Sequence, residues 1–259
     1  MKSAYDNAYE DDRLAGAYQD GNAMPEESLR AWAELIGSFA AADSPDLLEI
    51  GAGTGMFCAA MARWLRPSSV LGVEPSLPML SRARQVNAHA GVRYEAGSAD
   101  QVPAGADAFD LALLSRVIHH VPDRPRAARE LARVLRPGGV VVIRTTFGES
   151  LDALVYDYWP RLRDLDAVRF PSQAAVLADF AEAGFTVRTV TSFAQPVTAS
   201  LAEYHDRMTS QPQSKFDQLT AEEFQQGLRR LASEVAGLPS GGEPVRERYD
   251  VAVLVNSGG

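Results

Sequence analysis

The chain has 259 residues, of which 46% are hydrophobic and 23% are charged, the balance of an ordinary soluble globular protein. At about 150 residues per domain, this length suits one large domain with a cap, or two small domains. The net charge of −9 argues against a nucleic-acid partner, because binding phosphate requires a basic surface. With Cys58 as its single cysteine, the chain can form no internal disulfide and no cysteine-cluster zinc site.

No targeting or membrane segment is expected. The opening stretch, MKSAYDNAYEDD, is acidic and lacks the apolar core of a secretory signal. No apolar run approaches the length that would span a bilayer. We therefore expect a cytoplasmic monomer or homodimer whose partner is a small molecule, with no nucleic acid and no membrane involved.

The middle of the chain alternates short apolar runs with helical patterns at the spacing of βαβ units. Most of the runs are apolar throughout, which is typical of strands buried on both faces of a parallel sheet. Strands are predicted at Asp46–Ile50, Val70–Val73, Val92–Tyr94, Phe109–Ser115, Val140–Thr145, Phe185–Val190 and Tyr249–Val255. Helices are predicted at Met56–Leu65, Met79–Ala90, Arg126–Leu135, from a cap at Ser172 to Ala183, and from a capping box at Thr220 to Leu231.

Three segments fall outside this alternation: residues 1–42, about 147–171 and about 196–238. Ligands of such sheets bind beyond the carboxyl ends of the strands, so we expect these segments to form a lid and substrate walls there. Plain packing at the sheet edge remains an alternative for any one of their aromatic side chains. The predicted division is an N-terminal helical arm at 1–42 and a core with cap insertions at 43–259.

The first predicted strand leads into a glycine-rich turn, Glu49-Ile-Gly-Ala-Gly-Thr-Gly55, and a helix follows. Strand, glycine turn and helix form a general nucleotide-binding context. However, a dinucleotide fingerprint would have glycine where Met56 stands, and a phosphate-binding loop would end in Gly-Lys-Ser/Thr. The carboxylate of Glu49 would repel a pyrophosphate at close range, and it suits a cation instead.

Glu74 ends the second predicted strand, where an acidic side chain is set to hydrogen-bond both hydroxyls of a ribose. The sequence therefore favours a nucleoside whose attached group is positively charged. S-adenosylmethionine fits, with its ribose on Glu74, its ammonium near Glu49 and its carboxylate at the N-terminus of the following helix. These charge arguments leave NAD-like ligands open.

Five segments follow one another in a recognisable order: Glu49–Gly55, Glu74–Leu80, Gly97–Pro103, Phe109–His120 and Leu135–Gly139. Together they resemble the motifs of class I S-adenosylmethionine-dependent methyltransferases, in particular the small-molecule "type 11" branch that includes the quinone C-methyltransferases. The resemblance implies a Rossmann-like three-layer α/β sandwich. Its seven-stranded sheet would be mostly parallel with an antiparallel last strand, under a helical cap from the arm and the late insertions.

The resemblance also implies contacts with S-adenosyl-L-methionine and with its product S-adenosyl-L-homocysteine. Met79 would pack on the adenine, and Asp100 would accept a hydrogen bond from the adenine amino group. A core position for Met79 and a turn cap for Asp100 are the alternatives. The full expected set is Glu49, Gly51, Gly53, Gly55, Glu74, Pro75, Met79, Ala99, Asp100 and Ser115.

His119 and Tyr18 are the candidate catalytic residues. Methyl transfer needs mainly a nucleophile held in line, and it needs a general base only where the acceptor must lose a proton. His119, beside His120, follows the fourth strand and is a candidate base, although a His there could simply anchor the loop. Tyr18 of the arm could act as a lid or a base. No metal is expected, since no His-x-x-x-His or Cys–His spacing occurs.

The expected function is methyl transfer to a flat, partly apolar acceptor of phenol, quinone or indole type in specialised, natural-product metabolism. Methylation of a quinone or lipid of central metabolism is one alternative. A scaffold or sensor that binds S-adenosylmethionine without turnover is another.

Overall fold

The structure is a computed structural model that describes residues 24–210, 214–238 and 242–258. Its strands are β1 Asp46–Ile50, β2 Ser69–Glu74, β3 Val92–Ala96, β4 Phe109–Ser115, β5 Leu135–Thr145, β6 Phe185–Thr198 and β7 Val245–Asn256. Within the described residues they form one sheet in the order β3-β2-β1-β4-β5-β7-β6. The strands from β3 to β5 are parallel, and β7 runs antiparallel to both β5 and β6. The predicted mostly parallel seven-stranded sheet with an antiparallel last strand is confirmed.

Helices flank the sheet and extend beyond it. They are α1 Glu26–Gly37, α2 Met56–Trp64, α3 Leu77–Val86, α4 Arg124–Val134, α5 Val155–Tyr158, α6 Pro160–Arg169, α7 Gln173–Glu182, α8 Leu201–Met208 and α9 Ala221–Gly237. Side-chain caps determine where several of these helices begin. The side chain of Ser172 caps α7, and Thr220 with Glu223 forms the capping box that opens α9.

Three predicted helices differ from those observed by more than one residue at an end. The helix predicted from Met79 to Ala90 is observed as α3, which begins and ends earlier, because Ser76 caps it and Pro78 is tolerated in a first turn. The helix predicted from Arg126 to Leu135 is observed as α4, which begins two residues earlier after its cap at Asp123. The helix predicted from Thr220 to Leu231 continues to the end of α9.

The last two strands are much longer than the apolar pattern predicts. β6 continues past Val190, and β7 begins before Tyr249, so that the two strands pair as far as Thr198 and Val245. The middle of β6 is mostly solvent-exposed or half-buried, and such positions tolerate polar residues such as Thr191 and Ser192. The predicted run Tyr249–Val255 marks the part of β7 that lies in the core, whereas Thr186, Val187 and Arg188 of the run predicted for β6 are exposed.

The sheet has a hydrophobic cluster on each face, which makes the three layers. On one face, β-strand residues such as Ile143 pack with Leu131 of α4 and Phe180 of α7. On the other face, Trp32 of α1 is fully buried in a cluster that contains Leu113 and Val142. The described part of the predicted arm, residues 24–42, thus packs on the sheet, while the boundary at residue 42 stays a prediction.

A third hydrophobic cluster joins the two late insertions. Trp159 lies at its centre, with ring centroids 5.1 Å from Phe216 and 5.9 Å from Phe224. The indole Nε1–H of Trp159 donates to the carbonyl of Phe224 at 3.0 Å, and a Cβ on Gly227 would lie 2.1 Å from Nε1. We call residues 151–170 and the described residues of 201–238 the cap. It folds as one unit from two segments distant in sequence.

Candidate active site

The loop from β1 to α2 requires glycine for both conformation and packing. Gly51 and Gly55 have φ angles of +66° and +84°, a region that favours glycine. A Cβ on Gly51 would lie 2.3 Å from Cγ2 of Val117, and one on Gly55 would lie 2.3 Å from the Tyr94 hydroxyl. The N–H of Gly51 donates to the carbonyl of Val73 at 2.8 Å, which ties the loop to the end of β2. The predicted glycine turn therefore lies at the carboxyl edge of the sheet.

Glu74 lies beside this loop, buried and held by backbone groups. One carboxylate oxygen accepts from the N–H of Gly53 at 2.9 Å, and the other accepts from the N–H of Ser76 at 3.0 Å. Burial raises the pKa of Glu74, and these two hydrogen bonds oppose the rise. A carboxylate offers about four acceptor positions, so each oxygen retains capacity for a hydroxyl donor. Next to it, Pro75 is exposed and Leu77 is 68% exposed, which gives an apolar surface.

Glu49 lies deeper than the sequence suggests, at 2% exposure. The thiol of Cys58 donates to its Oε2 at 2.9 Å. Burial raises the pKa of Glu49 to about 8, so its carboxyl group is mostly protonated at neutral pH. An ammonium partner for Glu49 therefore requires this group to lose its proton first.

The other predicted cofactor residues have partners within the protein. Asp100, in the β3–β4 connection, accepts from the Ser98 hydroxyl at 2.6 Å and pairs with Arg126 at 3.3 Å. The Ser98 hydrogen bond lowers the pKa of Asp100 and keeps it ionised. The hydroxyl of Ser115, at the end of β4, accepts from Arg144 at 3.2 Å. The remaining two are Met79, which is buried at 2% exposure, and the half-buried Ala99.

His119 follows β4 in a single 3-10 turn, Ile118–His120. Its ring lies between those of His120, at 4.3 Å, and Phe170, at 4.2 Å. Burial and the positive charges of its neighbours hold the pKa of His119 well below its ordinary value, so the imidazole is neutral. Within the described residues, its buried Nδ1 has no hydrogen-bond partner, which leaves a position for a polar ligand.

Tyr18, the other predicted catalytic residue, lies outside the described residues.

A pocket opens beyond the ends of β4 and β5, between the sheet and the cap. His119 and Asp166 both line this pocket. The Oδ1 atom of Asp166 is buried and lacks a hydrogen-bond partner within the described residues. The lining residues are Arg116, His119, His120, Thr145, Thr146, Ala153, Val155, Tyr156, Asp166, Arg169, Phe170, Lys215, Glu247 and Tyr249. The pocket adjoins the glycine loop, because Val117 follows Arg116 and packs against Gly51.

Sequence reasoning missed most of these pocket residues. Arg116 directly follows the end of β4 and could have been found from that position. Arg169 and Lys215 lie on separate cap segments, and Glu247 and Tyr249 begin the last strand, where no motif marks them. Among residues 24–210, 214–238 and 242–258, no cluster of His, Cys, Asp and Glu could hold a metal ion. The same part of the chain has no helix long and apolar enough to cross a membrane.

The family comparison matches the part of the chain that builds the glycine loop. A type 11 family model, described as a methyltransferase domain, matches residues 48–143. Residues 48–143 are therefore similar to a methyltransferase domain. The matched region includes the glycine loop, Glu74, Asp100 and His119, and it ends within β5.

The methyltransferase domain has relatives with several different names. An uncharacterised methyltransferase of Mycobacterium sp. strain JLS is 41% identical over 100 residues, which are 39% of this chain and 38% of the relative. Malonyl-[acyl-carrier protein] O-methyltransferase of Serratia marcescens is 31% identical over 150 residues, 58% of this chain and 56% of the relative. Demethylmenaquinone methyltransferase of Roseiflexus castenholzii is 30% identical over 149 residues, 57% of this chain and 63% of the relative. The matches thus span between 38% and 63% of these relatives.

Solved structures share the fold at low sequence identity. A protein of Anabaena variabilis, named as a methyltransferase from an antibiotic biosynthesis pathway, has a TM-score of 0.69 at 20% identity, over 87% of this chain and 99% of that one. Geranyl diphosphate methyltransferase in complex with S-adenosylmethionine has a TM-score of 0.55 at 14% identity, over 88% of this chain and 85% of that one. The Rossmann-like methyltransferase fold is confirmed by these likenesses.

Proposed function

We propose that this protein transfers a methyl group from S-adenosylmethionine to a small acceptor that binds in the pocket beyond β4 and β5. The observation that carries the proposal is the contact between the two parts of the site. Val117 packs on Gly51 of the glycine loop, while its neighbour Arg116 lines the pocket. A cofactor on the loop and an acceptor in the pocket would therefore meet at the end of β4.

The residues beside the glycine loop suit the cofactor. Glu74 would accept from the ribose hydroxyls through the acceptor positions that Gly53 and Ser76 leave open. The exposed apolar side chains of Pro75 and Leu77 offer a surface for the adenine. When bound, the cofactor supplies an electrophilic methyl group on a sulfonium. Further contacts are proposed for Glu49, Gly51, Gly55, Met79, Ala99, Asp100 and Ser115.

Two of these contacts require local adjustment. Asp100 would share its carboxylate between the adenine amino group and its present partners, Ser98 and Arg126. Met79 is buried at 2% exposure, so only an edge of its side chain could reach the ring. Glu74 needs no such adjustment, because its oxygens are already oriented by backbone N–H groups.

The pocket suits a flat acceptor with a polar group. Aromatic rings from Tyr156, Phe170 and Tyr249 line it, and flat molecules pack well against such faces. With an acceptor bound, the cap would limit the access of water, which favours methyl transfer to the acceptor over side reactions. His119 would accept a proton through its Nδ1 where the acceptor has to lose one. An acceptor of phenol, quinone or indole type in specialised metabolism is therefore proposed.

A quinone of central metabolism is the second candidate, and a relative named demethylmenaquinone methyltransferase favours it. A non-catalytic scaffold is disfavoured, because the pocket beside the glycine loop is lined by polar groups and is not filled by apolar side chains.

Calorimetric binding of S-adenosylmethionine and S-adenosylhomocysteine tests the cofactor half of the proposal. Glu74→Ala should weaken both affinities about a hundredfold or more, since hydrogen bonds to a charged group contribute about 1.5–3 kcal/mol each. Glu182→Ala, an exposed carboxylate on α7, is the matched control and should leave both unchanged. Equal affinities for Glu74→Ala and wild type would place the ribose elsewhere, and no binding by wild type would refute the proposal.

A further inference from the structure

Asp166 is buried in the wall of the pocket, at a position that does not favour a carboxylate. It is 1% exposed and lies on α6 four residues after the fully buried Leu162, so both side chains belong to the inward face of the helix. It also falls in the last turn of α6, where the helix dipole disfavours a negative charge. Local structure alone therefore does not account for an acidic residue here.

The two oxygens of the Asp166 carboxylate have unequal surroundings. Oδ2 accepts hydrogen bonds from the Tyr156 hydroxyl at 2.8 Å and from the Lys215 ammonium at 3.2 Å. Oδ1 is buried as well, but it has no hydrogen-bond partner within the described residues. Both of these donors thus meet the same oxygen, and the other oxygen keeps its full capacity as an acceptor.

The ion pair between Asp166 and Lys215 is a costly arrangement if it serves stability alone. Removing two charges from water costs free energy, and their attraction offsets this cost only where the remaining acceptor positions are also hydrogen-bonded. Oδ1 does not meet that condition. Buried polar atoms without a partner are uncommon in folded proteins, and one that belongs to a pocket wall indicates a position for a ligand atom.

Asp166 and His119 line the same pocket from different parts of the chain. Asp166 belongs to the cap, whereas His119 follows the end of β4. Phe170 connects the two, because its N–H donates to the carbonyl of Asp166 at 2.8 Å and its ring centroid lies 4.2 Å from that of His119. A molecule that fills the pocket would therefore contact the cap and the end of β4 together.

We propose that the methyl acceptor carries a hydroxyl or ring N–H group that donates a hydrogen bond to Oδ1 of Asp166. Asp166 is then a specificity-determining residue of the pocket. The inference rests on the proposed function and narrows its acceptor class to phenols, hydroquinones and indoles. The oxygens of an oxidised quinone only accept hydrogen bonds, so a quinone would leave Oδ1 unpaired and bind poorly.

Binding to the protein saturated with S-adenosylhomocysteine tests the inference. The probes are two pairs of similar shape, indole with benzofuran and 2-naphthol with 2-fluoronaphthalene, in which the second member lacks the hydrogen-bond donor. In calorimetry, the donor-bearing member of at least one pair should bind about tenfold or more tightly, because its counterpart leaves a buried acceptor unpaired. Equal affinities within both pairs, or no binding by any of the probes, would overturn the inference.

The variant Asp166→Asn assigns this preference to a single side chain. Its amide oxygen should face Tyr156 and Lys215, since both of them donate, and its NH₂ group should therefore take the place of Oδ1. The preference for the donor-bearing probes should then disappear or reverse, while the affinity for S-adenosylhomocysteine stays unchanged. Asp164→Asn is the matched control and should keep the preference, since Asp164 is exposed on the same helix outside the pocket.

A melting curve for each variant verifies that it folds. If Asp166→Asn does not fold, Asp166→Leu combined with Lys215→Met replaces it, since exchanging both members of a buried ion pair for apolar residues is often tolerated. A folded variant that keeps the preference for donors would show that Asp166 only stabilises the cap, and the inference would be wrong. Failure of the wild type to bind S-adenosylhomocysteine would instead refute the proposed function.

Discussion

The two halves of the site differ in their ionisable side chains. Beside the glycine loop the buried groups are the carboxyls of Glu49 and Glu74, both with raised pKa. The pocket instead combines the cations Arg116, Arg169 and Lys215 with the carboxylates of Asp166 and Glu247. The glycine-loop half is therefore purely acidic, whereas the pocket half contains both signs of charge.

Arg144 lies where the two halves meet. Its guanidinium contacts Ser115 of β4, and it lies 5.3 Å from the ring of Phe57 at the start of α2 and 4.5 Å from that of Trp32. It also acts to lower the pKa of Glu49. A fixed positive charge at this boundary favours the ionised form of the Glu49 carboxyl group.

The largest expected effect concerns the pocket half. If His119 takes a proton from the acceptor, His119→Ala should lower kcat about a hundredfold and leave the affinity for S-adenosylhomocysteine unchanged. His89→Ala, on an exposed surface, is the control and should keep full activity. Steady-state kinetics measures kcat, and calorimetry measures the affinity for S-adenosylhomocysteine. An unchanged kcat would show that His119 is not the base. A loss of cofactor affinity would show that His119 also affects the cofactor half of the site.

A smaller effect is expected when the cap is disturbed. Gly227→Ala places a methyl group against Trp159, at a cost of about 1–3 kcal/mol in the free energy of unfolding. Acceptor binding should weaken while cofactor binding persists, because the glycine loop is outside the cap. Gly237→Ala, at the end of the same helix with open space around it, is the control for calorimetry and thermal melts. Equal behaviour of the two variants would contradict the packing around Trp159.

The smallest expected effect is a pH dependence of cofactor affinity that arises from the carboxyl group of Glu49. Since its pKa is raised to about 8, the carboxylate that would pair with an ammonium forms only as the pH approaches 8. Affinity for S-adenosylhomocysteine should rise about tenfold between about pH 6.5 and 8, and Glu49→Gln should remove this rise. A persistent rise in Glu49→Gln would assign it to another group.

The raised pKa of Glu49 also makes the stability of the protein depend on pH, but stability falls with rising pH where cofactor affinity rises. The unfolded carboxyl loses its proton near the ordinary value of 4.5, whereas the folded one keeps it until about 8. The contribution of Glu49 to the free energy of unfolding is therefore greatest below pH 4.5 and decreases as the pH rises to about 8. Denaturant melts of wild type and Glu49→Gln across this window measure the difference.

The positions of the glycine loop and of Glu74 could be predicted from the sequence because each is a local feature, while their contacts with a cofactor stay a prediction. The glycine turn joins β1 to α2, and Glu74 ends β2, so a pattern of neighbouring residues specifies each of them. The burial of Glu49 and its bond to Cys58 could not be predicted, because they depend on how α2 packs on the sheet.

The pocket half could not be predicted, because it brings together residues from separate parts of the chain. Arg116 follows β4, Arg169 ends α6, Lys215 lies before α9, and Glu247 belongs to β7. No spacing relates them, since each reaches the pocket through a different element. The outer part of the β6–β7 pair escaped prediction because it carries no apolar run, although Gln195 and Thr198 within it are buried.

The β6–β7 pair brings together the two ends of the segment that contains α8 and α9. The segment that forms α8 and α9 leaves the sheet after Thr198 and returns at Val245, and these two residues are partners in the β6–β7 ladder. Its ends are therefore already side by side, and joining them with a segment of another length adds little loop-closure entropy. Recombination or engineering could replace this module, and with it Lys215 of the pocket wall and the cap residues that pack on Trp159, without altering the path of any strand.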